Sequence, residues 1–152
     1  MKCNLYCISR ADSEIEAMVR DFGMKIQGFG AKLSVIDIFT PAIAKAQKIS
    51  AQKARESYTN ALSPFIKPHA QNIALHPQAK MLDSFQFAQT FENKQEVNFF
   101  IGGAYGFEEA FLQKLKTLSL SPLTLSHKIA KLVLCEQIYR ALSILAKHPY
   151  HK

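Results

Sequence analysis

The sequence predicts an α/β fold in which a mostly parallel β-sheet is flanked by helices on both faces. Short apolar segments rich in β-branched and aromatic residues alternate along the chain with segments of helical periodicity, a pattern typical of parallel strands joined by helices. The length of 152 residues fits one domain, and a composition of 48% hydrophobic and 20% charged residues allows a buried core. We therefore expect a single α/β domain over residues 1–152.

The first half of the chain predicts a β-α-β unit followed by a long helix. Residues 4–9 and 32–39 are apolar and too short for helices, so they predict strands. Between them, residues 13–22 carry apolar side chains at helical spacing, and Gly23 is the expected end of that helix. Residues 41–62 are rich in Ala, Lys and Gln and lie between two prolines, which predicts one continuous helix.

The second half continues the alternation of strands and helices. The predicted strands are residues 72–75, 97–101 and 117–120. The predicted helices are residues 84–91, 107–115 and 126–147. The last helix is apolar on more than one face, which exceeds the stripe needed to cover one side of a sheet. This excess indicates either a subunit interface or a central helix buried within the monomer.

The net charge, the hydropathy and the cysteine content indicate the cellular compartment and the class of binding partner. Nineteen basic and twelve acidic residues give a formal charge of +7. This charge indicates either a polyanionic partner such as nucleic acid or a soluble basic protein without such a partner. No apolar run approaches the roughly 18 residues of a membrane span, and no signal-peptide core is present. We therefore expect a cytoplasmic protein without a membrane partner, in which Cys3, Cys7 and Cys135 are reduced core thiols.

A glycine-rich passage follows the predicted strand at residues 97–101. Gly102, Gly103 and Gly106 come at the carboxyl end of this strand, where α/β sheets bind ligands. Their spacing is not that of a dinucleotide site or a phosphate loop, and the next residues, Glu108 and Glu109, would repel a pyrophosphate. The passage indicates a site for a neutral or cationic ligand, with a tight strand-to-helix turn as the structural alternative.

Basic residues concentrate in the predicted long helix and near the C-terminus. On one continuous helix, Lys45, Lys48 and Arg55 would share a face with Lys53 beside it. This distribution predicts a phosphate-binding surface for RNA rather than only a solvated helix face. The candidate RNA-binding residues are Lys45, Lys48, Lys53, Arg55, Lys128 and Lys152.

Two features near the C-terminus carry charge or potential metal ligands. Arg140 interrupts an apolar helix, and a cation in such a setting needs a partner or a functional reason. His148 and His151 have a spacing seen in some metal sites, but no carboxylate or Cys accompanies them. We therefore predict no metal.

Four motifs carry a resemblance to a known family. They are IGGAYGF at 101–107, SLSPLTLSH at 119–127, EQIYRA at 136–141 and HPYHK at 148–152. In order and spacing they resemble the small SPOUT-class family of ribosomal RNA large-subunit methyltransferases H, which methylate N3 of a pseudouridine in the helix 69 loop of 23S rRNA. The resemblance implies a C-terminal trefoil knot, a homodimer, S-adenosylmethionine as methyl donor and the ribosome as the setting of the reaction. No pattern in the sequence predicts a knot, since knots are rare exceptions to the rules of chain connection.

The resemblance also implies a donor site at three strand ends. It comprises Leu75, Gly102, Gly103, Gly106, Leu120, Ser121, Pro122, Leu123, Thr124 and Leu125. A sulfonium cation is compatible with the acidic Glu108 and Glu109, where a pyrophosphate is not. The chain departs from the usual family pattern at His76, Ala79, Pro122 and Ser126. Of these, Pro122 has no N–H to donate.

The chemistry implied by the resemblance requires alignment of donor and base, and loss of the imide proton. Arg140 is the candidate for stabilising negative charge on the base or binding RNA, and Tyr150 and His151 are candidates for positioning the base, from either subunit. His127 either takes part or has a structural role at a helix start. No general base is assigned. The competing hypothesis is a non-catalytic RNA- or ribosome-binding factor on the same scaffold.

Overall fold

The fold is built on five parallel strands, and the computed structural model describes all residues from Met1 to Lys152. The strands are β1 (Lys2–Cys7), β2 (Lys32–Asp37), β3 (Gln71–Leu75), β4 (Glu96–Ile101) and β5 (Lys116–Leu118). They form one sheet in the order β2-β1-β4-β3-β5, and every neighbouring pair is parallel. The predicted α/β class is therefore confirmed.

Helices cover both faces of the sheet. They are α1 (Ser13–Gln27), α2 (Pro41–Ile49), α3 (Ala51–Leu62), α4 (Ser84–Gln89), α5 (Glu109–Leu112) and α6 (His127–Leu145), with a 3-10 turn at Ser63–Phe65. Side chains of α1, α4 and α6 share one core with the sheet, while those of α2, α3 and α5 share a second core on the opposite face. None of the helices is both long and apolar enough to cross a membrane.

Helix α1 is longer than the sequence predicts, because Gly23 does not end it. The helix continues to Gln27, and Ile26 in this added turn is fully buried in the first core. The N–H of Gly28 donates to the Lys25 carbonyl and closes the helix. Burial of Ile26 thus outweighs the helix-breaking tendency of a single glycine, which amounts to about 1 kcal/mol.

The segment predicted as one long helix is two helices, so this prediction was wrong. Ser50 is extended, with φ −167° and ψ 163°, and separates α2 from α3. Its N–H donates to the Ala46 carbonyl at the end of α2, and its hydroxyl accepts from the Lys53 N–H, 3.1 Å away, at the start of α3. A serine that caps the following helix stabilises such a break.

Most other elements match the prediction with shifted ends. The strand predicted at 4–9 begins at Lys2, while the helix predicted at 107–115 is regular only over Glu109–Leu112. The helix predicted at 126–147 is α6 with the bounds given above. Fraying ends of this kind are set by caps and tertiary contacts rather than by periodicity.

A row of three asparagines, two of them buried, fixes the register of the three central strands. Asn4, Asn98 and Asn72 are register partners on β1, β4 and β3. The Asn4 amide donates to Asn98 Oδ1 at 2.8 Å, and the Asn98 amide donates to Asn72 Oδ1 at 3.1 Å. Because a shift of one residue would leave these buried amides unpaired, the row favours one alignment of the strand ends.

Candidate active site

A cavity of about 480 Å³ lies at the carboxyl ends of three adjacent strands, β4, β3 and β5. Its walls come from Leu75, His76 and Pro77 after β3, from the glycine-rich loop after β4, and from the loop between β5 and α6. The first residue of α6, His127, closes one side. The cavity has a size and position typical of ligand sites in open α/β sheets.

The structure brings together almost all of the residues that the family resemblance assigned to a donor site. Those that line the cavity are Leu75, Gly102, Gly103, Gly106, Leu120, Ser121, Leu123, Thr124 and Leu125. Pro122 does not line it and is exposed. The candidate catalytic residue His127 also lines the cavity.

Two positions of the loop after β4 require glycine, each for a different structural reason. A Cβ on Gly103 would lie 2.6 Å from the Tyr58 ring and 2.9 Å from Ile8, so only glycine fits there. Gly106 has φ +72°, a conformation that side chains disfavour. The tight-turn alternative therefore accounts for these two residues, and the same turn forms a wall of the cavity.

The loop between β5 and α6 is fixed by its serines. The buried Ser119 hydroxyl shares its single proton between two carbonyls, that of Pro77 at 3.0 Å and that of Ser121 at 2.9 Å. The Ser121 hydroxyl accepts from the Leu123 N–H at 3.0 Å. The Ser126 hydroxyl accepts from the Ile129 N–H and begins α6. The wall formed by this loop is thus held to the end of β3.

No lysine, arginine, aspartate or glutamate is among the sixteen residues that line the cavity. The expectation that Glu108 and Glu109 would face a ligand is not met, because Glu108 precedes α5, Glu109 begins it, and neither lines the cavity. The titratable groups of the lining are His76 and His127. The His76 ring accepts from the Gln78 N–H through Nδ1 at 3.3 Å, so its Nε2 is left as the donor.

Sequence reasoning missed several lining residues. They are His76, Pro77, Ile101, Ala104, Phe107 and Ser126. Five of the six adjoin an assigned residue and Pro77 lies two positions after Leu75, so extending the assignment by one or two positions at each strand end would have found all of them.

The candidate residues of the last helix and tail form a second cluster. The Arg140 guanidinium donates to Glu136 Oε1, 2.6 Å from Nη2 and 3.1 Å from Nε, and lies over the Tyr150 ring. The Tyr150 hydroxyl donates to the same Glu136 oxygen at 2.9 Å, and Arg140 Nη1 lies 3.3 Å from His151 Nδ1. Partial burial and the Glu136 carboxylate raise the pKa of Tyr150. Glu136, which the sequence did not single out, therefore connects Arg140 with Tyr150.

This cluster is distant from the cavity in the same chain. His127 begins α6 and Arg140 comes thirteen residues later on that helix. At 1.5 Å per residue the two positions are about 20 Å apart along the helix axis. Arg140, Tyr150 and His151 therefore do not line the cavity of their own chain.

The candidate RNA-binding residues lie at separate places on the surface. Ser50 divides the predicted helix, so Lys45 and Lys48 belong to α2 whereas Lys53 and Arg55 belong to α3. The prediction that these residues share one helical face was therefore wrong. The ammonium group of Lys53 pairs with Glu56 at 2.8 Å.

The two C-terminal candidates for RNA binding also differ from each other. Lys128 pairs with Asp12 at 3.0 Å and with Glu14. Lys152 ends the chain and is exposed.

No three His, Cys, Asp or Glu side chains are grouped so that they could hold a metal ion.

With this geometry established, the chain can be compared with known proteins. The family described as "Predicted SPOUT methyltransferase" matches residues 1–151. The chain belongs to the SPOUT methyltransferase family. Within this SPOUT chain, the cavity at the ends of β3, β4 and β5 is the candidate active site.

The SPOUT chain has close relatives in Helicobacter. It is 51% identical over 152 residues to the ribosomal RNA large subunit methyltransferase H of Helicobacter acinonychis, and the match covers all of both chains. It is 49% identical to the proteins of the same name from Helicobacter pylori strain J99 and Helicobacter hepaticus, again over the whole of both chains.

Proposed function

We propose that this SPOUT methyltransferase transfers a methyl group from S-adenosylmethionine to N3 of a pseudouridine in the helix 69 loop of 23S rRNA, within the ribosome. Membership of the family, the names of the Helicobacter relatives and the four sequence motifs support this assignment. The observation that carries it is the cavity at three strand ends, whose lining contains no lysine, arginine, aspartate or glutamate. We further propose that residues 1–152 act as one domain in the cytoplasm.

The lining of the cavity fits an adenosine-containing sulfonium better than a nucleotide phosphate. Backbone groups and apolar side chains at Leu75, Gly102 and the loop 120–125 are suited to adenine and ribose. A pyrophosphate would meet no lysine or arginine there. When bound, S-adenosylmethionine supplies an electrophilic methyl group.

The residues of the second cluster are suited to act on the base. Bound S-adenosylmethionine would supply the methyl group to N3, and the imide proton of N3 would pass to water, since no general base is assigned. A guanidinium such as that of Arg140 stabilises the imide anion from which the nucleophile arises. The Tyr150 ring holds that guanidinium from one side, and Glu136 orients it.

A homodimer would bring the two clusters together. In one chain Arg140 and His127 are about 20 Å apart along α6, so one subunit alone does not assemble both. The outward face of α6 carries Ile129, which is 44% exposed, and the half-buried Leu132 and Val133. If two copies of α6 cross antiparallel near Val133, Arg140 of the partner subunit comes close to His127. We therefore propose a homodimer in which the tail of one subunit completes the cavity of the other.

Affinity for the ribosome is assigned to basic residues on the surface. Lys45, Lys48 and Lys152 are exposed and make no ion pair, whereas Lys53 and Lys128 are held by carboxylates. Contacts of lysine with phosphate give affinity without sequence selectivity. Selectivity would then arise from insertion of a single base into the cavity, which favours an unpaired loop as the target.

Donor binding and methyl transfer test this function. Isothermal titration with S-adenosylmethionine is expected to show binding, and mass spectrometry of 23S rRNA from a deletion strain is expected to lack one methyl group at a pseudouridine. Complementation with the wild-type chain should restore the methyl group, and Arg140→Ala should reduce kcat by about 100-fold, as for loss of one oxyanion-stabilising group. Arg20→Gln, at an exposed pair with Glu16, is the control.

The competing hypothesis of a non-catalytic RNA- or ribosome-binding factor predicts a different result. In that case the donor does not bind, even with ribosomes present, and the deletion strain keeps every methyl group. Binding of the ribosome without binding of the donor would therefore overturn the proposed function.

A further inference from the structure

A buried ionic cluster joins α6 to the carboxyl ends of β1 and β2. Lys131 of α6 is only 2% exposed, and its ammonium group pairs with Asp37, the last residue of β2. The Ser9 hydroxyl, after β1, donates to Asp37 Oδ1 at 2.8 Å and lies 3.5 Å from Lys131 Nζ. Neither Lys131, Asp37 nor Ser9 lines the cavity, and the proposed chemistry does not use them.

This cluster is connected through neighbouring residues to two walls of the cavity. On α6, Lys131 comes four residues, about one turn, after His127, which closes the cavity. On the sheet side, Ser9 follows Ile8, whose N–H donates to the Ile101 carbonyl at 3.0 Å. The Ile8 side chain also packs against Gly103. A displacement of the cluster would therefore move both the start of α6 and the loop after β4.

Stability alone gives a poor reason for this cluster. The Lys131 side chain is almost entirely removed from water and that of Asp37 is 21% exposed. Full removal of such charges costs several kcal/mol per ion, and apolar side chains of similar volume often stabilise a fold equally well or better. An ion pair, however, is directional. Apolar contacts along α6 allow it to shift along or rotate about its axis, whereas the Lys131–Asp37 pair fits one position of the helix.

We propose that Lys131, Asp37 and Ser9 are positioning residues that fix the start of α6 against the sheet and thereby set the width of the donor cavity. This inference rests on the proposed function for the identity of the ligand. The cluster acts through His127, Ser126 and the loop at 101–103, and none of its own groups contacts the donor.

Variants that separate stability from position test the inference. Lys131→Met should raise the Kd for S-adenosylmethionine at least tenfold, because loss of a group that orients the residues of a site costs about 10- to 100-fold in affinity or activity at metal sites. The double variant Lys131→Met with Asp37→Leu should recover thermal stability but keep the weakened Kd, whereas Lys131→Arg should restore the Kd. Titrations are made well below each Tm.

A destabilised control shows whether loss of stability alone weakens donor binding. Ile26 is fully buried in the last turn of α1, a helix that contacts β2 at the sheet edge opposite β5. Ile26→Ala should lower the Tm and leave the Kd unchanged. The inference would be overturned if Lys131→Met bound S-adenosylmethionine with the Kd of the wild type, or if Ile26→Ala raised that Kd as much as Lys131→Met does.

Hydrogen exchange tests the cluster without the donor. Amides of residues 127–130 and 101–106 should exchange faster in Lys131→Met than in the wild type, and should be unaffected in Ile26→Ala. If the wild-type chain does not bind S-adenosylmethionine with ribosomes present, the proposed function fails and this measurement still decides the positioning role. Unchanged exchange at both segments in Lys131→Met would reject that role.

Discussion

Gly103 illustrates how a single residue in this protein is fixed by packing rather than by a ligand. The Tyr58 ring is fully buried in the second core, and its hydroxyl accepts from Gln47 Nε2 at 2.6 Å. Gly103 lies directly against this ring. Gly103 therefore allows both the turn after β4 and the close contact with Tyr58, and the sequence alone does not distinguish these two roles.

Gly103→Ala should destabilise the protein by about 1–3 kcal/mol, because its Cβ would overlap the Tyr58 ring and Ile8. Urea unfolding gives the free energy of unfolding. Gly23→Ala is the matched control, since Gly23 lies inside α1 with nothing within 4 Å of a Cβ, and should stabilise the protein by about 0.5–1 kcal/mol. Equal effects of the two substitutions would contradict this account.

The three cysteines are also defined at the scale of single residues. Burial raises the pKa of the Cys3, Cys7 and Cys135 thiols to about 12. Thiolate is the reactive form, so the native protein should resist alkylation at pH 8, whereas the unfolded chain should label at all three. The expectation that these are buried, unpaired core thiols is confirmed.

The raised thiol pKa values make stability depend on pH. Between about pH 9 and 12 the unfolded chain loses thiol protons that the folded chain keeps, so the free energy of unfolding should fall as pH rises in this window. Urea titrations at several pH values measure the slope. Cys135→Ala should make it shallower, and a slope that does not change in this variant would argue against buried thiols as its cause.

At the scale of elements, the break at Ser50 changes the expected RNA-binding surface. Lys45 and Lys48 lie on α2 and are exposed without an ion pair, whereas Lys53 on α3 is held by Glu56. The Lys53 ammonium already lowers the pKa of the Glu56 carboxyl. Periodicity alone gave all of these lysines equal weight, since it does not show which carboxylates are near.

Lys45→Gln and Lys48→Gln should each weaken binding to ribosomal RNA and reduce the slope of log K against log salt by about 0.7–0.9. Lys53→Gln should have a smaller effect, because its charge is partly neutralised by Glu56. Filter binding over a series of salt concentrations provides the slopes. A larger effect at Lys53 than at Lys48 would refute this ranking.

At the scale of the whole molecule, α6 explains why one subunit is an incomplete enzyme under the proposed function. Its inner face packs on α1, α4 and the sheet, so the alternative of a helix buried within the monomer accounts for much of its apolar surface. Ile129, Leu132 and Val133 remain at least partly exposed. This remainder is what a second copy would cover.

Sedimentation should therefore show a species of about twice 17.1 kDa at micromolar concentration. Val133→Asp should shift it to the monomer and abolish methyl transfer, because a charge would be buried at the crossing of the two α6 helices. Ile49→Asp, at an exposed apolar residue of α2, is the control and should remain dimeric. A monomeric wild-type protein that retains activity would exclude the dimer.

The sequence by itself determined the α/β class, the order of most strands and helices along the chain, and the glycine-rich passage after β4; the other two strand ends of the cavity came from the family resemblance. These follow from local rules, since periodicity, glycine and proline act over a few residues. The trefoil knot, which only the family resemblance implies, stays a prediction.

The tertiary structure decided what depends on residues far apart in the sequence. It showed that Ser50 divides a helix, that Glu108 and Glu109 do not line the cavity, and that Glu136 holds Arg140 and Tyr150. It also brought Lys131 to Asp37, 94 positions away. Pairing of charges and the depth of burial are set by the packing of distant elements, and no local pattern encodes them.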